Sequence, residues 1–128
     1  MKAKILLVED NAQNRYLTTF LLEQRGHIVV SAISGPAALE LVLDVQPDLI
    51  LLDIQLPGMD GHAVARALKS DPRFKHIPIV AVTSYAMVGD REKAFATGAE
   101  GYIEKPINPL TFVDEVESFL LPRERRSR

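Results

Sequence analysis

An α/β domain, with a parallel sheet covered by helices on both faces, is predicted by three features of this chain. Short apolar runs alternate with longer segments of helical period; three of the runs are apolar throughout; and four strand candidates end on polar residues. Ile5-Leu6-Leu7-Val8 runs into Glu9-Asp10, Leu49-Ile50-Leu51-Leu52 into Asp53, Ile79-Val80-Ala81-Val82 into Thr83, and Tyr102-Ile103-Glu104 into Lys105-Pro106. Polar residues set repeatedly at the carboxyl ends of strands describe a site as well as a fold.

Each element has a local reason. After the first strand, helical period runs from Asn11 or Ala12 to Arg25, with Leu17, Phe20, Leu21 and Gln24 expected on one side and Gly26 as the left-handed C-terminal residue. His27 to Ala32 reads as a β-branched strand. Ser34 is placed to cap a second helix with Pro36 in its first turn; Ala38, Leu41, Val42 and Val45 recur at helical spacing until Pro47 stops it. Leu49 to Asp53 is the third strand. Asp60 can cap a helix carrying Val64, Ala67 and Leu68 inward, with Asp71-Pro72 as its stop. Ile79 to Thr83 is the fourth strand, Asp90 to Thr97 a more polar helix closed by Gly98, and Gly101 to Glu104 the fifth strand. The last helix is expected from about Pro109 to Leu121. Its apolar positions, Leu110, Phe112, Val113, Val116, Phe119 and Leu120, make a face wider than packing on a sheet requires, which marks it as an interface candidate.

Strand followed by helix, five times over, leaves few topologies once crossovers are right-handed. The flavodoxin-like, doubly wound order 2-1-3-4-5 suits a chain of this length and puts the three fully apolar strands at the centre. The winding reverses between the first and third strands, and ligands bind in the crevice outside the carboxyl ends at such a point. Asp10 and Asp53 end those two strands.

Composition bounds the function. The 128 residues fit one domain burying about two thirds of the surface its unfolded form exposes. With 15 basic against 17 acidic residues the net charge is -2, which argues against a nucleic-acid surface. The absence of cysteine removes disulfides, thiol redox chemistry and thiolate-bound zinc. The apolar stretch at Ile5–Val8 is too short for a signal peptide and no stretch is long enough to span a membrane, so a cytoplasmic location is expected. The expected organisation is a domain over residues 1–121 and a basic, disordered tail over 122–128.

Carboxylates gathered within a few Å repel one another, so their pKa values rise or a cation joins them. Magnesium, with manganese as a substitute, takes oxygen ligands and is commonly held by one or two carboxylates together with phosphate oxygens. Lys105 offers a compact positive charge and Thr83 a hydroxyl donor for phosphoryl oxygens. Cation, ammonium and hydroxyl converging on one carboxylate favour attack by an aspartate oxygen on phosphorus, because phosphoryl transfer depends chiefly on positioning and charge neutralisation.

From Lys4 to about Leu121 the chain resembles the receiver domain of two-component response regulators, the module also seen in the bacterial chemotaxis regulator. The resemblance is carried by Val8-Glu9-Asp10-Asn11, Asp53-Ile54-Gln55-Leu56-Pro57-Gly58-Met59-Asp60-Gly61, Val82-Thr83-Ser84 and Lys105-Pro106. It implies that Asp53 is the phosphoacceptor, that Asp10 binds magnesium directly, that Glu9 assists through water, and that the Gln55 main-chain carbonyl completes the protein's ligands. It also implies that Thr83 and Lys105 contact the phosphoryl group, that the bond before Pro106 is cis, and that Tyr102 is an aromatic switch turning inward as Thr83 shifts. Gln55 and Tyr85, each two residues beyond a site residue, are expected to flank the path of hydrolytic water and set the phosphoryl lifetime. The three histidines, His27, His62 and His76, show no ligand spacing and are expected on the surface or in loops.

The implied function is a phosphoaspartate receiver, a signalling phosphoacceptor rather than a turnover enzyme. Its donor would be a sensor histidine kinase or a histidine phosphotransfer protein, and its output a protein partner met by the fourth helix, fifth strand and fifth helix, without nucleic acid or membrane. Such a chain would act as a stand-alone receiver or as a receiver cut from a hybrid histidine kinase; the alternative is a pseudo-receiver that binds partners on the same fold without accepting phosphate. Two rivals fit less well. A flavin binder needs a phosphate loop after the first strand, where Glu9 and Asp10 would repel phosphate. A phosphatase of the haloacid dehalogenase type resembles Asp-x-Asp in its motif, and here the second position is Gln55.

Overall fold

The computed structural model describes residues 2–84 and 88–121, and within them strands and helices alternate without exception. The order is β1 (Lys4–Val8), α1 (Ala12–Gln24), β2 (Ile28–Ala32), α2 (Gly35–Val45), β3 (Leu49–Asp53), α3 (Gly61–Ser70), β4 (Ile79–Thr83), α4 (Asp90–Ala96), β5 (Gly101–Glu104) and α5 (Phe112–Ser118). All five strands are parallel in one sheet ordered β2-β1-β3-β4-β5, the predicted flavodoxin-like arrangement. Val8 lies beside Leu52, Asp53 beside Val82 and Thr83 beside Glu104. That register brings the polar ends of four strands to one edge of the sheet.

Period-two alternation splits the central strands between two cores. Leu6, Val8, Ile50, Leu52, Ile79 and Ala81 face α2, α3 and α4, where they meet Ala38, Val42, Val64, Leu68 and Ala94. Ile5, Leu7, Leu49, Leu51, Val80 and Val82 face the opposite way and pack with Leu22 of α1 and Phe112, Val113 and Val116 of α5. Burying one Leu or Ile side chain fully contributes about 2 kcal/mol, and β3 is buried along its whole length. The strand that ends on Asp53 is therefore among the most firmly held elements in the domain.

Helix starts follow the expected chemistry. Asn11, Ser34 and Asp60 accept hydrogen bonds from Asn14 N (2.9 Å), Ala37 N (3.2 Å) and Ala63 N (2.9 Å), satisfying donors the first turns would leave open. Gly26 and Gly98 end α1 and α4 with φ of 95° and 102°.

Helix faces depart from the sequence reading in three places. In α1 the buried residues are Thr18 and Leu22; Leu17, Phe20 and Gln24 are exposed and Leu21 is half-buried. Phe20 instead stacks with Tyr16, one turn earlier, at the surface (ring centroids 6.4 Å apart). In α3 the inward residues are Val64, Ala65 and Leu68, and Ala67 is exposed. In α5 the helix is shorter than predicted at both ends. Asn108 organises a turn before it, its side chain accepting from Leu110 N (3.0 Å) and its carbonyl from Thr111 N (3.1 Å), while i to i+3 bonds from Phe119 and Leu120 tighten the turn after it. The broad apolar face of α5 is spent on the core: Phe112, Val113 and Val116 are buried, and Leu110, in the preceding turn, is exposed.

His62 sits elsewhere than expected, on a helix and buried, and His27, though in the connection between α1 and β2 as a loop residue, is not at the surface. His27 is buried, its Nδ1 accepting from Ala3 N (3.1 Å) and its Nε2 lying 2.7 Å from a Glu117 carboxylate oxygen, which ties α5 to the start of β2. His62 is buried on α3 with Nδ1 unpartnered among the described residues. Lys69 is a further, half-buried polar anchor. Its ammonium donates to the carbonyls of Lys75 (3.0 Å) and Ile77 (2.7 Å) and to the Glu100 carboxylate (2.8 Å), which in turn accepts from Ile79 N. No helix among the described residues is long and apolar enough to cross a membrane.

Candidate functional site

Glu9 and Asp10 leave the end of β1, Asp53 ends β3, and Lys105 follows β5, so four charged residues from three strands meet at the switch point of the sheet. One carboxylate oxygen from each of Glu9, Asp10 and Asp53 falls in a group whose members lie within 4.8 Å of one another. Glu9 and Asp53 are buried, at 3% and 5% exposure, while Asp10 is open to solvent. Two buried carboxylates beside an exposed third offer the oxygen donors that a divalent cation takes.

Lys105 reaches into this group. Its ammonium pairs with Glu9 and stands 3.4 Å from Asp53 Oδ2. The other Asp53 oxygen, Oδ1, accepts from Gln55 N (2.9 Å), and Glu9 Oε2 accepts from Asn11 N (3.1 Å). Burial pushes the Glu9 carboxyl above its ordinary range and the neighbouring Asp53 charge adds to the rise; the bonds from Lys105 and Asn11 pull it down. The ammonium thus stands where a divalent ion would also lower the repulsion among these groups.

Thr83 is fully buried at the end of β4, and its carbonyl accepts from Lys105 N (2.7 Å), which joins the β4 and β5 ends. The Lys105-Pro106 bond is cis. The Gln55 side chain is exposed and its Oε1 accepts from Ser84 N (3.0 Å), bridging the loops after β3 and β4. Tyr102 is half-buried against the α2–α4 core, with its hydroxyl unpartnered among the described residues and the Arg91 guanidinium 5.9 Å from its ring centroid. Burial raises the Tyr102 phenol above its usual range, so it stays neutral. Tyr85 lies outside the described residues, as does the 122–128 tail.

Beneath the charged group is a cavity of about 80 Å³ lined mainly by apolar side chains, among them Leu7, Leu17, Leu51, Val82 and Phe112, with Asp53 and Lys105 at its boundary. Apolar walls on the inner side keep the local dielectric low and strengthen the pull of Lys105 on any anion bound against Asp53.

One participant escaped the sequence reading. Arg15, which closes the first turn of α1, donates from a single guanidinium nitrogen to the carbonyl oxygens of Glu9 (3.0 Å) and Asp10 (3.3 Å). The only available signal was its position four residues after the Asn11 cap, which points its side chain back along the helix toward the strand end.

The chain matches the family model of the response regulator receiver domain over residues 5–117. Over 120 residues it is 42% identical to the polar-differentiation response regulator DivK of Brucella ovis, covering 94% of this chain and 98% of that protein. Among solved structures it is similar to the chemotaxis response regulator CheY4 of Vibrio cholerae, with a TM-score of 0.86 and 28% identity over 94% of this chain and 100% of that one. It is similar also to the BeF3-activated N-terminal receiver domain of Klebsiella pneumoniae RstA, with a TM-score of 0.85 and 32% identity over 93% and 99% of the two chains.

Proposed function

Because this chain belongs to the response regulator receiver family of two-component signalling, we propose that Asp53 is its phosphoacceptor and that a phosphohistidine protein is its donor. The observation that carries the reading is the setting of the Asp53 carboxylate: buried, oriented by Gln55 N–H, facing the Lys105 ammonium, and grouped with Glu9 and Asp10.

An Asp53 carboxylate oxygen attacks phosphorus; the phosphorus–nitrogen bond to the donor imidazole breaks, its electron pair leaves with the ring, and an acyl phosphate forms on Asp53. Lys105 draws on a phosphoryl oxygen through its ammonium, and Thr83 supplies a hydroxyl at the end of the adjacent strand. Glu9, Asp10, Asp53 and the Gln55 carbonyl would hold magnesium or manganese, whose charge, when bound, offsets that gathering on the equatorial oxygens. The donor set fits, being all oxygen with one open side. Gln55 and Tyr85 border the approach of hydrolytic water in this reading.

Phosphorylation adds roughly one to two negative charges to a pocket that already holds three carboxylates. Drawing Thr83 toward the phosphoryl group opens space for Tyr102, which shares its face of the sheet, and the α4-β5-α5 surface changes for a protein partner. The chain acts here as a signalling switch in the cytoplasm, fed by a histidine kinase or a histidine phosphotransfer protein, with its output through protein contacts rather than nucleic acid or membrane. Incubation with acetyl phosphate and magnesium, followed by intact-mass measurement, should give a phosphoryl adduct on the parent and none on Asp53→Asn. Equal labelling of the two proteins rejects the assignment.

A further inference from the structure

We infer that Arg15 is a positioning residue for the metal-binding carboxylates of the β1–α1 turn, an inference that rests on reading Glu9, Asp10 and Asp53 as metal ligands. Both of its bonds go to main-chain oxygens, those of Glu9 (3.0 Å) and Asp10 (3.3 Å), and neither goes to a carboxylate. An arginine placed to neutralise acids would reach for their charged oxygens. This one grips the peptide units from which the two acidic side chains project.

The turn is otherwise lightly held at the point that matters most. Glu9 is secured by its buried carboxylate, through Lys105 and Asn11 N, and by Glu9 N donating to Ala32 O (3.0 Å). Asn11 is secured as the helix cap, accepting from Asn14 N at its side chain and from Arg15 N at its carbonyl. Asp10, between them, is exposed, and the contact from Arg15 is the hydrogen bond found for its backbone among the described residues. A ligand carboxylate on an unheld peptide loses orientational freedom when it binds metal. A guanidinium anchored one helical turn away removes that freedom in advance.

The sign of the effect separates positioning from charge. Arg15 is cationic, so by Coulomb repulsion alone it opposes a divalent ion, and removing it should tighten binding. If it acts by holding the turn, removing it loosens binding despite the relief of repulsion.

Manganese binding to the unphosphorylated protein, read from the free-ion signal in electron paramagnetic resonance, tests this, with metal-free urea unfolding as a control for global stability. Arg15→Met, which keeps the aliphatic stem without donors or charge, is expected to bind Mn2+ about tenfold more weakly than the parent. Arg15→Lys, which keeps the charge and one donating nitrogen, is expected to fall between them. An Arg15→Met protein that binds Mn2+ as tightly as the parent, or more tightly, overturns the inference, as does an Arg15→Lys protein no better than Arg15→Met. Asp10→Asn separates the two levels of reading. A parent no better than Asp10→Asn overturns the metal site itself, whereas loss in Asp10→Asn with an unaltered Arg15→Met removes only the role of Arg15.

Discussion

At the scale of single residues, the site side chains were legible because each stands where an apolar run stops, and a charged residue there has no packing reason to be present. Glu9, Asp10, Asp53 and Lys105 stood out for that reason and converge in space. The burial of His27 and His62 was illegible because an imidazole can be buried once it has partners, and the partner of His27 is Glu117, far along the chain. Among the described residues, His62 Nδ1 has no such partner. Burial pushes its imidazole below the ordinary 6.5, with Lys93 and then Arg66 adding to the depression and Asp60 and Asp90 opposing it. Over the interval between that lowered value and 6.5 the unfolded chain binds a proton the folded chain refuses, so stability is lost as pH falls through it. Urea midpoints measured from about pH 7 down to about pH 5.5 should therefore decline in the parent and decline less steeply in His62→Phe. Equal slopes would mean that His62 is already solvated.

At the scale of elements, the strands were read almost to the residue: β3, β4 and β5 span the predicted segments, β3 and β4 because continuous β-branched and leucine runs buried on both faces admit little else, and β5 because Gly98 and Lys105-Pro106 bracket a short run. Helices were read less well. The starts of α1, α2 and α3 were set by caps visible in the sequence, but the ends of α5 were not, which face turns inward depends on the sheet the helices cover, and an exposed aromatic pair such as Tyr16 and Phe20 imitates a core stripe. The junction of β3 and α3 shows what element packing demands. A Cβ on Gly61 would fall 2.3 Å from Ile54 Cα and 2.6 Å from the Asp53 carbonyl oxygen, both backbone atoms that cannot yield cheaply. Gly61→Ala should cost about 2 kcal/mol or more in urea unfolding and also slow labelling by acetyl phosphate, because the displaced segment carries Asp53. A stable variant labelled at the parental rate would show that α3 can shift without moving the site.

At the scale of the whole molecule, topology was legible because right-handed crossovers leave few orders for five strands and the flavodoxin-like one suits this chain length and puts the apolar strands at the centre. What could not be read was the polar bracing between distant elements, the Lys69-Glu100 and Arg25-Glu117 pairs among them, since long-range ion pairs leave no periodic trace. Three carboxylates brought together by folding and scattered by unfolding make metal binding a source of stability. At one hundred times its dissociation constant, magnesium should raise the unfolding free energy by about 2.7 kcal/mol, and Asp10→Asn should abolish most of that gain while leaving the metal-free midpoint near the parental value. An identical magnesium response in both proteins would place the ion elsewhere.

The alternation of side chains along β3 and β4 has a consequence for how faults in this protein would be distributed. Asp53 continues the row of Leu49 and Leu51 and borders the cavity beside α1 and α5, whereas Thr83 continues the row of Ile79 and Ala81 and shares the opposite core with Tyr102. With Asp53 as the proposed phosphoacceptor and Tyr102 as the proposed switch, loading and response would lie on the two sides of a single wall, joined where the wall ends. Packing faults at α2 or α4 that leave the β3–α3 junction intact should alter the surroundings of Tyr102 while Asp53 is still labelled near the parental rate, and faults in α1 should slow that labelling, so that defects sort by which layer of the domain they strike.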